Sequence, residues 1–304
     1  MRRAWERWVF AVAALAVMPL VAASDAGAQQ VDWERINPAF KGATFVNSDK
    51  ICQDCHEEMH HKFGLSAHAE NFKAGKTALK GNCESCHGPR SKHVDGGEPV
   101  AEWRSLTKAQ QSGICMQCHA GGSRMTFMTG AHLAGDVSCT SCHAAKDPRD
   151  QTAVLARARA TALCYSCHAT AKVQMAKTSH HPVREGRMDC VSCHNVHGSN
   201  PALLKTATVN ETCNSCHTEK RGPYLWEHAP VRENCANCHD PHGSTNRKLL
   251  NKKEAFLCLS CHNYGGHINL PRYNRTSNPY GEGCVNCHIT IHGSQHPSGP
   301  KFTR

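Results

Sequence analysis

Two cysteines three positions apart, the second followed at once by histidine, recur ten times in this chain. The sets are Cys52, Cys55 and His56; Cys83, Cys86 and His87; Cys115, Cys118 and His119; Cys139, Cys142 and His143; and Cys164, Cys167 and His168. They continue with Cys190, Cys193 and His194; Cys213, Cys216 and His217; Cys235, Cys238 and His239; Cys258, Cys261 and His262; and Cys284, Cys287 and His288. Together they use all 20 cysteines. On a helical turn, residues three apart share a face. Two sulfurs so placed can form thioethers to the two vinyl groups of a haem, and the following histidine then lies under the ring as an iron ligand. One copy would also suit half of a zinc site or a thiol-redox pair. Ten copies, each ending in histidine, point to ten covalently held haems with those histidines as proximal ligands.

The opposite face of each iron needs a second ligand. Of 23 histidines, 13 lie outside the motifs. His68, His132, His181, His228 and His267 each precede an even-numbered motif, and His93, His197, His242 and His292 each follow one. The fourth motif departs from this pattern, because its tail, Ala144-Ala145-Lys146-Asp147-Pro148, has no histidine. Solvent-exposed histidine is the usual reading of a spare imidazole, but spares this numerous and this regularly placed read as distal ligands. A histidine three residues past its motif has at most about 10 Å of chain, too little to pass round the ring to the far face. His197, His242 and His292 are therefore expected to serve a neighbouring haem. Adjacent His180 and His181 would point to opposite faces if extended, and so could serve two irons. Met125 and Met128, close to His132, are the competing ligands and would raise the potential. With histidine in excess, the expectation is ten bis-histidine haems of low potential with few or no open iron positions.

Composition agrees with a chain built around cofactors. Of 304 residues, 39% are hydrophobic and 6% aromatic, and a mature chain would have only about 28 residues per motif. Side chains alone could not fill such an interior, so the macrocycles must supply the missing core. Strict spacing separates these cysteines from a disulfide framework, whose loops differ in length. Free thiols at this density would crosslink in an oxidising compartment, so they must be occupied. The formal charge is +10, or +9 without residues 1–28. Ten haems would add about twenty propionate charges and about ten ferric ones, leaving the holoprotein near neutral. No basic run carries interleaved aromatics, which argues against nucleic acid as a partner.

Residues 1–28 have the form of a cleaved signal peptide. Arg2, Arg3 and Arg7 open it, an apolar stretch runs over 8–23, and Ala26-Gly27-Ala28 supplies a small-residue cleavage site. The apolar stretch contains Pro19 and falls short of the roughly 20 residues that span a bilayer. The expected product is a soluble periplasmic protein. Residues 29–50 read as an extended N-terminal arm, and 51–300 as the haem-bearing domain. That domain divides into five dyads of motifs, at 51–98, 113–148, 162–200, 211–246 and 256–296, an internal repeat with elastic loops. Helix is expected over 99–112, 150–164 and 252–261, and strand signals are nearly absent. The fold class is thus a multihaem cytochrome c: mostly loop with short helices, elongated and organised by its cofactors.

At this point the chain resembles the MtrA/DmsE-type periplasmic decahaem c-type cytochromes of Gram-negative bacteria, a family that includes MtoA and PioA. The likeness covers about residues 45–300. It rests on the ten motifs and on local phrases such as Phe63-Gly64-Leu65-Ser66-Ala67-His68, Ser179-His180-His181-Pro182-Val183, His228-Ala229-Pro230-Val231 and Ile291-His292-Gly293-Ser294-Gln295-His296. The resemblance implies His68, His180, His181 and His296 as ligands and leaves His60 and His61 in reserve. That gives eleven favoured histidines for ten irons: His68, His93, His132, His180, His181, His197, His228, His242, His267, His292 and His296. It also implies a staggered line of haems conducting electrons inside an outer-membrane β-barrel porin. The partners would be an extracellular multihaem cytochrome, mineral or Fe(II) outside, and periplasmic or inner-membrane cytochromes within. The alternatives are a soluble periplasmic shuttle to a terminal reductase and a nitrogen or sulfur oxyanion reductase. The reductase needs an open iron, which the surplus of histidine disfavours, so the chain reads as an electron carrier rather than an enzyme.

Overall fold

A computed structural model of the chain describes residues 31–73, 83–97, 102–143, 157–262, 283–297 and 299–303. Residues 1–28, expected as a leader, and His267 lie outside these segments, as does the tail of the fourth motif. Fourteen α-helices lie among the described residues, and the longest has 12 residues. β-Structure is limited there to isolated antiparallel bridges, such as Ser179 with Ser244 and Trp226 with Ser294.

The odd- and even-numbered motifs take two local forms. Odd-numbered motifs ride on helices: Asp49–Cys55 (α2), Lys108–His119 (α7), Arg157–Cys167 (α10), Val209–Asn214 (α12) and Glu254–Leu259 (α14). Even-numbered motifs sit on single turns: Glu84–His87 (α5), Cys139–Cys142 (α9), and the 3-10 turns Cys190–Ser192, Cys235–Asn237 and Cys284–Asn286. Capping chemistry explains where the longer ones begin. Thr107 accepts from the Gln110 amide while the Gln110 side chain accepts from the Thr107 amide, and Thr208 with Glu211 repeats that reciprocal pair ahead of α12. The helix expected over 99–112 begins later and runs further, because Thr107 caps it. The expectation at 150–164 meets α10, with 150–156 outside the described residues, and that at 252–261 meets α14.

Segment 29–50 differs from the extended arm expected of it. Over its described residues it turns as Trp33–Ile36 (α1) and Pro38–Phe40, capped by Asp32 and Asn37, and folds back. Its Trp33 and Phe40 meet edge to face at 5.4 Å and join Leu106 and Ile114 in a cluster of buried side chains. Asn37-Pro38 breaks the chain between the two aromatic residues, so no continuous amphipathic period announced this small core. Gly88, at φ +78°, is held against it: a Cβ there would lie 2.7 Å from the Trp33 ring and 2.8 Å from Phe40. Glu84 ties the same segment to the second motif, its buried carboxylate accepting from the amides of Val46, Asn47 and Arg90 at 3.0, 2.8 and 2.9 Å. Glu84→Gln keeps one acceptor oxygen and replaces the other with an NH2 group that cannot accept, and should lower stability by about 1–3 kcal/mol in a chemical-denaturation titration.

Beyond this cluster the buried apolar side chains are scattered: Ala69, Phe127, Met175 and Val183. The interior is instead one continuous channel of about 5150 Å³, touched by all ten motifs. An equal share per motif is about 500 Å³, the scale of a small-molecule site.

Candidate metal centres

The order of the motifs along the channel is given by their sulfurs. Within each dyad the first cysteines are neighbours: Cys52 with Cys83, Cys115 with Cys139, Cys164 with Cys190, Cys213 with Cys235 and Cys258 with Cys284. Between dyads the second cysteine of each even motif faces the motif after it: Cys86 lies near Cys115, Cys142 near Cys167, Cys193 near Cys216 and Cys238 near Cys261. The ten motifs therefore follow one another in space as they do in sequence. As free thiols the close pairs share a proton, so the Cys139 thiol is drawn down to about 6 by the hydrogen bond from Cys115, which is itself pushed up. Such a pair ionises once readily and a second time with difficulty.

Eight of the ten motif histidines face a second histidine across the channel. The ring centroids lie 6.3 Å apart for His56 and His93, 6.0 Å for His68 and His119, 6.2 Å for His132 and His168, and 6.1 Å for His143 and His197. They lie 6.4 Å apart for His181 and His217, 6.0 Å for His194 and His242, 6.1 Å for His228 and His262, and 6.2 Å for His239 and His292. Rings this far apart neither touch nor hydrogen-bond, so contact between them does not set the distance. Two metal–nitrogen bonds of about 2 Å plus two ring radii of about 1.2 Å give about 6.4 Å for trans imidazoles. The residues present thus fit an iron between each pair.

Seven of those eight pairs obey a rule that the sequence did not disclose. A histidine ahead of an even motif faces the odd motif of the next dyad, as His68, His132, His181 and His228 do. A histidine trailing an even motif faces the even motif of the dyad before, as His197, His242 and His292 do. Only His93 faces a motif of its own dyad, the first, which has no predecessor. The partner of His242 is therefore two motifs back along the chain.

At two of these exchanges between dyads, paired backbone hydrogen bonds hold the two segments in register. Ser179 and Ser244 exchange amide bonds at 3.0 and 2.8 Å, and Trp226 and Ser294 at 2.9 and 3.0 Å. Beside them, Nδ1–H of the leading histidine donates to the carbonyl just before the trailing one. His132 reaches Val196 at 2.9 Å, His181 reaches Pro241 at 2.7 Å and His228 reaches Ile291 at 3.0 Å. Such a bond fixes the tautomer and leaves Nε2 free for a metal. Burial also keeps His119, His197, His228, His242 and His292 neutral by pushing their pKa values down, the form that can ligate.

Three of the even-numbered motif histidines have carbonyl anchors of their own, which sequence reasoning missed. His194 donates to the Ala202 carbonyl at 3.0 Å and His239 to that of Lys248 at 2.8 Å, while His288 uses the Lys301 carbonyl. Ala202, Leu203, Lys248 and Leu249 all have φ between +52° and +59°, a conformation costing roughly 1 kcal/mol or more per residue. The signal was present in the recurrence of Ala202-Leu203-Leu204 and Lys248-Leu249-Leu250, eight and nine residues past the histidines of their motifs.

His180 departs from the expectation that it and His181 ligate two irons. Its Nδ1 bonds the Lys177 carbonyl at 2.6 Å and its Nε2 the Glu185 carboxylate at 3.1 Å. The Glu185 bond pushes its pKa up, toward imidazolium, which has no lone pair for a metal. His180→Ala should leave the visible and spin-resonance spectra of the loaded protein unchanged, whereas His181→Ala should turn one iron high-spin. His296 is exposed and enters none of the eight pairs. Met125 is 67% exposed and does not line the channel. Tyr165 lines the channel, and its hydroxyl, buried behind the wall, has no hydrogen-bond partner among the described residues.

Comparison with known proteins agrees with this chemistry. A family model for the doubled CXXCH motif matches residues 131–173, 180–222 and 228–267, and one for cytochrome c554 and c-prime matches 91–144. A multiheme cytochrome MtrA from Shewanella baltica (strain OS185) is 38% identical over 272 residues, covering 83% of this chain and 80% of its own. With paired attachment motifs along one channel and that level of identity across most of its length, the chain belongs to the MtrA family of multihaem c-type cytochromes, electron-transfer proteins that hold haem covalently.

Proposed function

We propose that this chain is a periplasmic decahaem cytochrome that conducts electrons across the outer membrane within a β-barrel porin. Ten haems, one per motif, would be ligated on both faces by histidine. The observation that carries this reading is the unbroken spatial order of the ten motifs along one channel, with ligands exchanged between dyads. Haem supplies reversible one-electron chemistry at iron when bound. The protein's part is to fix ring spacing, keep ligand imidazoles neutral and leave no coordination position for a substrate. His132, His181 and His228 lock their rings through Nδ1–H while presenting Nε2, and the strained turns at Ala202 and Lys248 do the same for His194 and His239. A conductor works best when its centres move little between redox states, and histidine ligation with backbone-locked rings limits that movement.

The leader at residues 1–28 supports export, and no helix among the described residues is long and apolar enough to cross a membrane. Crossing would therefore depend on a partner, and a barrel enclosing the haem line is the arrangement that suits it. The outer partners would be an extracellular multihaem cytochrome, mineral or Fe(II), and the inner ones periplasmic or inner-membrane cytochromes. The test is reconstitution of the holoprotein with its co-expressed barrel in lipid vesicles containing an internal redox dye. External dithionite should bleach the dye only when both proteins are present. Bleaching absent with both proteins, or a cytochrome that never co-purifies with a barrel, would overturn the membrane-crossing role and favour a soluble shuttle.

A further inference from the structure

We infer that His60, on helix α3 (Glu57–Gly64), is the distal iron ligand of the second motif, His87, and replaces a histidine that the repeat rule would place elsewhere. The inference rests on the proposed haem at that motif. Under the rule seen in the structure, an even motif receives the trailing histidine of the following dyad, as His143, His194 and His239 do. For the second motif that tail is Ala144-Ala145-Lys146-Asp147-Pro148, which has no ligand to give. The first dyad already departs from the rule once, because His93 serves His56 from within the same dyad. A second internal ligand would make the first dyad self-sufficient, while it still lends His68 to His119.

Helix α3 is placed to supply it. The helix starts at the residue after His56, and Cys52 and Cys83 lie together, so the attachment edges of the first two motifs meet beside it. His60 stands one turn beyond His56, half-buried and on the channel wall, whereas its neighbour His61 is exposed and off that wall. The dyad offers no other free imidazole on the wall: His56, His68 and His93 are matched elsewhere. Trp103 packs against His87 at 6.2 Å, but its indole nitrogen only donates and cannot bind iron.

The test uses the full-length holoprotein with haem counted by the pyridine haemochrome assay. His60→Ala should keep ten haems and convert one iron of the ten to high-spin ferric in the electron paramagnetic resonance spectrum, with carbon monoxide binding one reduced haem per chain. His61→Ala should do neither. His60→Met should stay low-spin with one potential raised, as thioether ligation does, and imidazole added to His60→Gly should restore the low-spin spectrum. A His60→Ala protein with ten haems and only low-spin iron would overturn the assignment, as would a wild-type protein with one high-spin iron. Fewer than ten haems on the wild-type chain would instead remove the reading beneath it.

Discussion

A chain ending at Asn251 is expected to carry eight haems, one of them high-spin. Truncation there removes the ninth and tenth motifs, and with them His292, the partner of His239 at 6.2 Å. The turn at Lys248 that orients His239 is retained, so the loss falls on the distal side alone. Haem count and spin state of the purified fragment check this directly. If each dyad instead ligated its own irons, the fragment would hold eight low-spin haems. Electron transfer to the eighth iron should slow as well, because a five-coordinate iron reorganises when it changes spin state.

Gly243→Ala should be the most damaging exchange of a single small residue. The glycine separates His242 from the Ser244 bridge and has φ +154°, and an added Cβ would lie 2.1 Å from the Gln174 carbonyl oxygen. That neighbour is backbone at the end of Ala169–Met175 (α11), so it cannot swing aside as a flexible side chain could. The trailing strand must lift, which breaks the exchange with Ser179 and draws His242 away from His194. A cost of about 3 kcal/mol, the upper end for overpacking, is expected in chemical denaturation, together with a high-spin signal from the sixth motif. Gly113→Ala is the control: it lies within α7, nothing would meet its Cβ within 4 Å, and it should be neutral or slightly stabilising.

Much of this site was legible in the sequence because thioether attachment demands fixed spacing, and fixed spacing survives in one dimension. The helix starts were less legible: Thr107 and Thr208 cap helices that carry odd-numbered cysteines, yet the first of these helices was expected to begin at 99. What the sequence withheld is which imidazole faces which. The reach of three residues excluded the motif's own haem for His242, but it could not show that the partner is His194, two motifs back, rather than the adjacent His217. That choice is made by long-range bridges such as Ser179 with Ser244, and no local pattern encodes their pairing. His180 and His181 are indistinguishable in composition, and only the positions of Lys177 and Glu185 against the carbonyl of Pro241 separate a surface ion pair from a ligand. The core of Trp33 and Phe40 was hidden for the related reason that its members come from distant segments.

The eight histidine pairs also fall into two classes by the angle between their rings. Five are near parallel, at 24°, 18°, 23°, 24° and 14°, and three are crossed, at 88°, 79° and 56°. The crossed pairs belong to the third, fifth and seventh motifs, each approached by a leading histidine, whereas every trailing histidine lies near parallel to its partner. Parallel imidazole planes split the iron orbitals that interact with them, and crossed planes leave those orbitals nearly equal in energy. With an iron held between each pair, the two classes would give low-spin signals of different anisotropy.

The most direct test of the account is the electron paramagnetic resonance spectrum of the fully oxidised, full-length holoprotein, integrated against its haem content. The account predicts ten haems per chain, low-spin iron throughout, and two low-spin populations, with crossed pairs giving the more anisotropic signal. A high-spin signal amounting to one iron or more per chain, or a single uniform low-spin population, would contradict it.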